Sequence, residues 1–360
     1  MRVALVLASS TGGIGRHVAS LAAGLPGAGH EVTVYAPAAA EEQFRFTGSG
    51  VTFQPVEIPA NPRPADATAV RTLRRALRLS PPEVIHAHGL RAGLVAALAR
   101  PTAIPLVVTW HNLVLVEGLR GRVYRPLERY VARAASVTLC ASKDLVERTR
   151  ELGAADARLA AVAAPVLPPP TRSPTEVRHE LGLVDGQPLV LSVGRLHPQK
   201  GYDVLVSAAA RWRDRVPRPM VAIAGTGPAY LDLAARISAA RAPVTLLGHR
   251  NDVADLLAAS DLAVVTSVWE ARQLFAQEAL RAAVPLVATR VGGIPELVGD
   301  AAVLIAAHDV EAVDKTVQEL LDDPQRRAEL AELGRRQAAT WPTEEDTLRQ
   351  VVDVYAELAP

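Results

Sequence analysis

Residues 269–296 read WEARQLFAQEALRAAVPLVATRVGGIPE, and this stretch decides the fold of the second half of the chain. Two glutamates, Glu270 and Glu278, lie at the start and in the first turns of a predicted helix. An apolar strand over 284–288 and a Gly-Gly turn follow it. On one ideal helix, positions eight apart would be about 80° out of phase and about 12 Å apart along the axis. The two carboxylates therefore bracket an extended ligand and do not share one ion.

The amides of a first helical turn lack intrahelical acceptors and favour phosphate groups. Here such amides lie between the two glutamates, and carboxylates suit hydroxyl groups on either side of a phosphate. A nucleotide sugar has this layout, with a sugar, a diphosphate and a ribose in a row. The sequence contains no Asp-x-Asp motif, so we expect no divalent ion to hold the diphosphate.

Apolar runs alternate with helix-period segments along the whole chain, which indicates parallel sheets built from β-α-β units. The pattern predicts strands over residues 3–8, 31–36, 84–88, 106–110, 136–141, 189–193, 220–224, 244–247, 262–266, 285–289 and 302–305. Helical patterns in the first half cover residues 17–25, 69–79 and 124–134. The proline-rich segment 165–174 predicts a stiff linker, and residues 341–358 predict an amphipathic helix that crosses back. The fold class is α/β, with two doubly wound, Rossmann-like domains that face each other across a cleft.

Composition excludes several classes of protein. A chain of 360 residues that is 49% hydrophobic and 21% charged folds as about two domains and is not disordered. The single cysteine, Cys140, excludes a disulfide framework and a cysteine-rich zinc site. The N-terminal apolar run is too short for a signal sequence, and no run approaches the roughly 20 residues of a membrane span. We therefore expect a soluble cytoplasmic protein.

Charge is distributed unevenly along the chain. Residues 1–170 contain 19 Lys and Arg against 12 Asp and Glu, although the whole chain has a net charge of +1. With only 4% aromatic residues and no known reader motif, nucleic acid is not an expected partner. Arginines recur at helical spacing at positions 71, 74, 75 and 78 and at 122, 125, 129 and 133. A solvated helix face is the favoured interpretation, and peripheral contact with the inner face of a membrane is the alternative.

A glycine cluster, Gly12, Gly13 and Gly15, follows the first predicted strand. Glycines at such a turn let backbone amides approach a phosphate or a sugar. A dinucleotide-binding dehydrogenase is excluded, because the second strand ends in VTVYAP without an acidic residue for the ribose and no Tyr-xxx-Lys occurs. A tight turn without a ligand remains open.

Three histidines, His86, His88 and His111, lie at the ends of two predicted strands. We expect His88 just past its strand, where its side chain can enter a cleft, although a structural role is equally compatible with the sequence. No carboxylate or cysteine spacing supports zinc, so no metal site is expected.

Loops after the strands of the second half carry the remaining candidates. Arg195 and Lys200 follow the strand over 189–193, where two cations can neutralise a departing diphosphate. Solvated loop charges are the alternative. Gly227 and the loop around Arg250 follow later strands, where small residues leave room for a flat base.

In order and spacing these segments resemble retaining glycosyltransferase family 4, which has the two-domain GT-B architecture. The resemblance rests on the Gly-Gly turn, VIHAHG, VVTWHN, SVGRLHPQKG, IAGTGP, LLGHRNDVADLLAASDL, the two spaced glutamates and PLVATRVGGIPELV. It implies an acceptor-side domain over 1–168, a nucleotide-sugar domain over 175–340 and a returning helix over 341–360.

The same resemblance implies the roles of individual residues. Arg195 and Lys200 would hold the donor phosphates, Glu278 the ribose and Glu270 the sugar hydroxyls, while His88 would lie beside the reacting sugar. Gly13 would approach phosphate or acceptor. The further candidates for donor binding are Gly12, Gly15, Gly227, Arg250, Gln273, Leu274 and Phe275.

One segment departs from the family pattern. Ala271-Arg272-Gln273-Leu274 follows Glu270, where the family usually has Gly-Phe-Gly-Leu. Loss of the glycines restricts the approach of the backbone to a donor. We expect Arg272 to point outward and Gln273 to contact the donor.

These observations predict a retaining, metal-independent glycosyltransferase that uses a nucleoside diphosphate hexose and no other cofactor. Its acceptor is unknown, and a lipid-linked or anionic acceptor is compatible with the basic first half. The alternatives are a sugar-nucleotide epimerase or hydrolase of the same fold, and a catalytically degenerate binding protein. Intact Glu270, Glu278, Arg195 and Lys200 favour the enzyme, and the bulk of Arg272 and Gln273 favours the degenerate protein.

Overall fold

The chain forms two compact units, Met1–Pro165 with Pro342–Pro360, and Val166–Trp341. The computed structural model describes residues 1–10, 12–59, 66–113, 118–163 and 167–359, with residues 118–123 described by their backbone alone. Across the described residues, no helix combines the length and the apolar character that crossing a bilayer requires.

The first unit contains a seven-stranded parallel sheet with the strand order β3-β2-β1-β4-β5-β6-β7. Its strands are β1 (Arg2–Leu7), β2 (Glu31–Ala36), β3 (Thr52–Pro55), β4 (Val84–His88), β5 (Leu106–Trp110), β6 (Val137–Cys140) and β7 (Ala157–Leu159). The central strands β4 and β5 are buried along their whole length, as expected for strands covered on both faces. The strand order reverses direction between the neighbours β1 and β4.

A helix lies between each two consecutive strands of this sheet in the chain. These helices are α1 (Gly13–Gly24), α2 (Ala38–Phe44), α3 (Asp66–Leu79), α4 (Gly89–Ala99), α5 (Gly118–Ala134) and α6 (Lys143–Glu151). Helix α1 packs tightly against α2, because a Cβ on Gly15 would lie 2.1 Å from the ring of Phe44. Gly15 is therefore required for packing between helices, which explains it without the predicted donor contact.

The second unit contains a six-stranded parallel sheet with the order β10-β9-β8-β11-β12-β13. Its strands are β8 (Leu189–Val193), β9 (Met220–Ala224), β10 (Val244–Gly248), β11 (Leu262–Val265), β12 (Leu286–Thr289) and β13 (Ala302–Ile305). Its helices are α7 (Pro174–Glu180), α8 (Tyr202–Ala209), α9 (Tyr230–Ala240), α10 (Val253–Ala259), α11 (Leu274–Arg281), α12 (Ile294–Val298), α13 (Val310–Asp322) and α14 (Pro324–Ala338).

The proline-rich segment ends earlier than the sequence predicts. Pro174 begins α7, because Ser173 and Glu176 form a capping box and proline is tolerated in the first helical turn. Residues 165 and 166 of the predicted linker lie outside the described residues.

The C-terminal helix α15 (Glu344–Leu358) begins at a second capping box, between Thr343 and Asp346. Its residues Val351, Val354 and Tyr355 are buried in the core of the first unit. They belong to the apolar face that the sequence predicts for this segment.

Candidate active site

In a doubly wound sheet, ligands bind at the carboxyl ends of the two strands between which the strand order reverses. In the second unit these strands are the neighbours β8 and β11. The loop after β8 carries Arg195 and Lys200, and the loop after β11 carries Glu270. The structure thus brings three of the predicted residues to one edge of one sheet.

An ion pair joins the two loops. Lys200 Nζ donates to Glu270 Oε1 at 2.6 Å, and Ser267 Oγ donates to the same oxygen at 2.9 Å. The side chains of Lys200 and Glu270 are 20% and 10% exposed. The sequence assigned these residues to different parts of the donor, and their contact with each other was not predicted. Ser267 was also missed, because a serine after a strand is too common to single out.

Hydrogen bonds to backbone carbonyl oxygens hold both loops in place. Gln199 Nε2 donates to Trp269 O at 2.9 Å, and the amide of Val268 donates to Gln199 O at 2.8 Å. The amide of Gly293 donates to Glu270 O at 2.8 Å. Gly292 has a φ of +51°, and a Cβ there would lie 2.1 Å from Glu270 O. The Gly-Gly turn therefore positions the backbone of Glu270, which explains its place in the motif.

Arg195 differs from Lys200 in its surroundings. Its side chain is exposed, and no hydrogen bond or ion pair is seen from it to the residues that the structure describes. A Cβ on Gly227, whose φ is +156°, would lie 2.3 Å from Leu196 O. Gly227 thus lets the loop after β9 pack against the loop that carries Arg195.

Helix α11 begins later than the sequence predicts, at Leu274, with Gln273 as its N-cap. Glu270 therefore precedes the helix, and the helical spacing calculated for Glu270 and Glu278 does not apply. Gln273 Oε1 accepts from the amide of Ala276 at 2.9 Å, which leaves the amides of Leu274 and Phe275 without intrahelical acceptors. The side chain of Phe275 is buried in the core, so only its backbone can contact a ligand.

Arg272 does not point outward, and that expectation is wrong. Its side chain is partly buried, its Nε is buried without a hydrogen-bond partner among the described residues, and its Nη2 donates to Gln277 Oε1 at 3.4 Å. Burial lowers the pKa of the guanidinium to about 10, an effect that the carboxylate of Glu296 opposes. The group remains a cation at neutral pH. Arg272 stands at the position where the family pattern usually has phenylalanine.

Arg250 belongs to an ion-pair network. Its guanidinium donates to Asp252 Oδ2 at 2.6 Å and to Glu180 Oε1 at 2.8 Å, and Arg172 contacts both of these carboxylates. Arg172 Nε also pairs with the buried Asp255 at 3.0 Å. The network ties the loop after β10 to α7. A donor contact through Arg250 would have to break it, so the structure favours a structural role.

In the first unit, histidines lie near the carboxyl ends of β1 and β4, between which the strand order reverses. His88 ends β4, His111 follows β5, and His17 comes from α1. His88 Nδ1 lies 3.4 Å from His111 Nε2, and the ring centroids of His17 lie 5.5 Å from His88 and 5.1 Å from His111. His17 was not predicted as a site residue, because a single histidine in a helix after a glycine turn has no distinctive sequence pattern.

His86 is set apart from these three rings by its partners. Its Nδ1 lies 2.7 Å from the hydroxyl of Tyr355 on α15, and its Nε2 lies 2.7 Å from Thr109 Oγ1. Its ring centroid is 4.2 Å from that of His88. Both nitrogens of His86 are thus occupied, and its role is structural.

Burial keeps all four rings neutral. It lowers the pKa of His17 to about 4 and that of His86 to about 3, where His17 adds to the effect. The pKa values of His88 and His111 also lie well below 6.5, first because of burial and then because of the neighbouring histidines. At neutral pH these side chains offer one donor and one acceptor each.

The remaining glycines of the first turn flank the histidines. Gly12 precedes α1, is exposed and has open space where a Cβ would be, while Gly13 is the first residue of α1. Nothing in the packing requires glycine at position 12. The close approach of a ligand, which the sequence predicts for this turn, would explain why the residue has no side chain.

Comparison with known protein families covers most of the chain. The family of glycosyl transferase 4-like domains matches residues 12–165, and the family described as glycosyl transferases group 1 matches residues 174–337.

Individual relatives and structures agree with these families. The glycogen synthase of Mycobacterium tuberculosis is 29% identical over 94% of this chain and 90% of its own length. The D-inositol 3-phosphate glycosyltransferase of Stackebrandtia nassauensis is 32% identical over 76% of this chain and 69% of its own length. The crystal structure of Anabaena HepE in complex with UDP and glucose aligns with a TM-score of 0.81 over 99% of this chain and 100% of that one, at 21% identity.

Proposed function

Because the chain belongs to glycosyltransferase family 4 and is a glycosyltransferase of the GT-B fold, we propose that it transfers a hexose-type sugar from a nucleoside diphosphate donor with retention of configuration and without a metal. One observation carries the proposal. The Lys200–Glu270 pair and the exposed Arg195 lie together after β8 and β11. A relative of the same fold was crystallised with UDP and glucose, which supports a nucleotide sugar as the donor class.

Each group at this edge suits one part of such a donor. Arg195 presents a guanidinium to solvent, and the amides of Leu274 and Phe275 begin α11. Together they suit a diphosphate. The carboxylate of Glu270, held by Lys200 and Ser267, accepts from sugar hydroxyls, and Glu278, farther along α11, accepts from the ribose.

The transfer step follows from these placements. As the bond from the sugar to the diphosphate breaks, negative charge grows on the leaving oxygen, and Arg195 and Lys200 stabilise that charge. The acceptor oxygen attacks from the face that the diphosphate leaves, and the diphosphate takes its proton. Glu270 holds Lys200 in position through the ion pair and needs no role as a nucleophile.

Arg195→Ala is expected to weaken nucleoside diphosphate binding at least about tenfold, because a charge-assisted contact contributes about 1.5–3 kcal/mol. Its free energy of unfolding should not change, since the side chain is exposed and has no described partner. Calorimetric titration with a nucleoside diphosphate measures the effect. Arg236→Ala, at an exposed arginine on α9, is the matched control. Equal affinity of the two variants for the nucleoside diphosphate would show that this loop does not bind the diphosphate.

Transfer is expected to proceed at its full rate in excess chelator. The cations Arg195 and Lys200 and the start of α11 supply the charge stabilisation that a divalent ion would otherwise provide. The measurement is nucleoside diphosphate release with EDTA present, with added Mg²⁺ or Mn²⁺ as the comparison. A strict requirement for either ion would contradict this part of the proposal.

The segment Ala271-Arg272-Gln273 is expected to select the donor. The triple change Ala271→Gly, Arg272→Phe and Gln273→Gly restores the usual family pattern, and it should alter the preference among nucleotide sugars at least about tenfold, because Arg272 is a desolvated cation. Affinity for a bare nucleoside diphosphate should change little. Gln273→Ser, which retains a capping oxygen, controls for loss of the helix cap. Unchanged donor preference in the triple variant would show that these side chains do not select the donor.

We propose a lipid-linked or anionic acceptor, with membrane contact at most peripheral and at the cytoplasmic face. Arg71, Arg74, Arg75 and Arg78 are all exposed on α3, as are Arg125, Arg129 and Arg133 on α5. The side chain of Arg122 lies outside the described residues. Co-sedimentation with anionic vesicles at physiological salt distinguishes a membrane surface from a soluble acceptor, because exposed cations add about 1 kcal/mol each near such a surface.

Two other functions make different predictions. An epimerase or hydrolase of the same fold would consume the donor without an acceptor. A degenerate binding protein would bind nucleotide sugars and turn none over. The intact Lys200–Glu270 pair, held by Ser267 and the Gly292-Gly293 turn, favours an enzyme over the degenerate protein.

A further inference from the structure

His17, His88 and His111 have the geometry of a metal-binding group. One ring nitrogen of each lies within 4.8 Å of those of the other two. The 3.4 Å between His88 Nδ1 and His111 Nε2 is informative. Two Zn–N bonds of about 2.0–2.1 Å at a tetrahedral angle separate their nitrogens by about 3.4 Å. Two of the three rings already have the spacing of ligands, and His17 completes a three-sided arrangement after a small movement.

In that arrangement Nδ1 is the ligand atom of His88, and Nε2 carries the ring proton. Nε2 is buried and has no hydrogen-bond partner among the described residues, and the residue is 2% exposed. Neutral imidazole, the form that buried histidines keep at neutral pH, is also the form that binds metals.

The surrounding residues hold the three rings and exclude a fourth. His86 uses both nitrogens on Tyr355 and Thr109, so it is not a ligand, and it packs against the ring of His88. Among the residues that the structure describes, the group includes no carboxylate and no thiolate. Three imidazoles suit zinc, cobalt, nickel or copper ions, whereas magnesium, calcium and manganese prefer oxygen ligands.

We propose that His17, His88 and His111 form a three-histidine site for a divalent transition-metal ion such as Zn²⁺, and that its occupancy inhibits sugar transfer. The inhibition rests on the proposed function, in which His88 acts at the reacting sugar. The metal binding itself does not rest on the proposed function. Three neutral ligands leave the ion with its double charge and an open coordination position for water or an anion. The ion would engage His88 and place a positive charge beside the reacting centre.

The site is tested by titrating the full chain, stripped of metal by chelator, with Co²⁺. A site with three imidazoles should bind one equivalent and produce the visible absorption bands of four- or five-coordinate cobalt, and Zn²⁺ should displace it. His17→Ala and His111→Ala should each weaken Co²⁺ binding at least about tenfold, since even an outer-shell change costs about 10–100-fold in metal affinity. His249→Ala, at an exposed histidine of the second unit, is the matched control.

Thermal denaturation checks that each variant is folded. If His17→Ala does not fold, His17→Gln replaces it, because glutamine keeps a polar group of similar length but is a poor zinc ligand. No cobalt bands in the unaltered chain, or equal affinity in all histidine variants, would overturn the site.

Inhibition is read separately. Stoichiometric Zn²⁺ should reduce donor turnover by the unaltered chain about 100-fold, as loss of one positioned acid–base group does. It should have a smaller relative effect on His17→Ala. Zinc binding without inhibition would overturn the inhibitory role, but the metal site itself would stand. If no donor is turned over, the cobalt titration still decides whether the site exists, so failure of the proposed function is distinguishable.

Discussion

Replacing Glu270 with glutamine is expected to lower kcat/KM for the donor about 100-fold, because charge-assisted hydrogen bonds contribute about 1.5–3 kcal/mol each. The carboxylate accepts from Lys200 and Ser267 in a nearly buried position. Glutamine keeps the shape and can still accept from Ser267, but it removes the charge that holds Lys200. The variant should also lose about 1–3 kcal/mol of unfolding free energy, less than for a fully buried pair because both side chains remain partly exposed.

A double variant, Glu270→Gln with Lys200→Met, separates the structural from the catalytic role. Removing both charges of a buried pair is often nearly neutral for stability. We therefore expect the double variant to regain most of the lost unfolding free energy, measured by urea denaturation. Turnover should remain as low as in the single variant or fall further. Recovery of turnover together with stability would show that the pair only supports the fold.

Removing the imidazole of His88 is expected to lower kcat about 100-fold, the lower end of the range for a positioned acid–base or hydrogen-bonding group. The ring is neutral, buried and aligned by His86, so His88→Ala deletes a fixed donor and acceptor at the end of β4. Nucleoside diphosphate affinity should be unchanged, because the residues proposed to bind the diphosphate, Arg195 and Lys200, belong to the second unit. Steady-state kinetics and calorimetric titration measure the two quantities.

His179→Ala, at an exposed histidine on α7, is the control for this change. His88→Asn tests whether one hydrogen-bonding group is enough, since asparagine offers a donor and an acceptor at a similar reach. A loss confined to nucleotide affinity, with kcat unaltered, would contradict a role for His88 in the transfer step.

Most of the fold could be predicted from the sequence, because buried parallel strands are continuous apolar runs. The predicted bounds of β2, β4, β5, β8 and β9 agree with the structure. The strands β3 and β7 were missed. Both are short and only partly buried at the edges of the sheet, so they lack the apolar run that identifies a strand.

The residues of the candidate site could be predicted from the sequence, but the contacts between them could not. Glycine turns and strand ends identify Lys200 and Glu270, but the ion pair between them depends on the adjacency of β8 and β11. Strand order is not written in local sequence. The partial burial of Arg272 was missed for a related reason, because Gln277 and Glu296 lie on two different helices around it. Propensity describes one segment at a time and cannot show such neighbours.

The convergence of His17 with His88 and His111 is the clearest case. Each histidine lies at or beyond the carboxyl end of a different strand of the first sheet, and the order β1-β4-β5 places these three strand ends side by side. No metal site was expected from His86, His88 and His111, because no carboxylate or cysteine spacing supports one. The structure instead groups His17 with His88 and His111.

The central claim is that the second unit binds a nucleotide sugar and that the enzyme transfers its sugar. Its most direct test is a panel of uridine, guanosine and adenosine diphosphate hexoses, scored first by thermal shift and then by nucleoside diphosphate release with candidate acceptors. We predict that one donor raises Tm, and that its sugar reaches an acceptor with unchanged anomeric configuration in the presence of EDTA. In Arg195→Ala the thermal shift should be lost. A chain that binds none of these donors, or that binds one equally well without Arg195, would contradict the account.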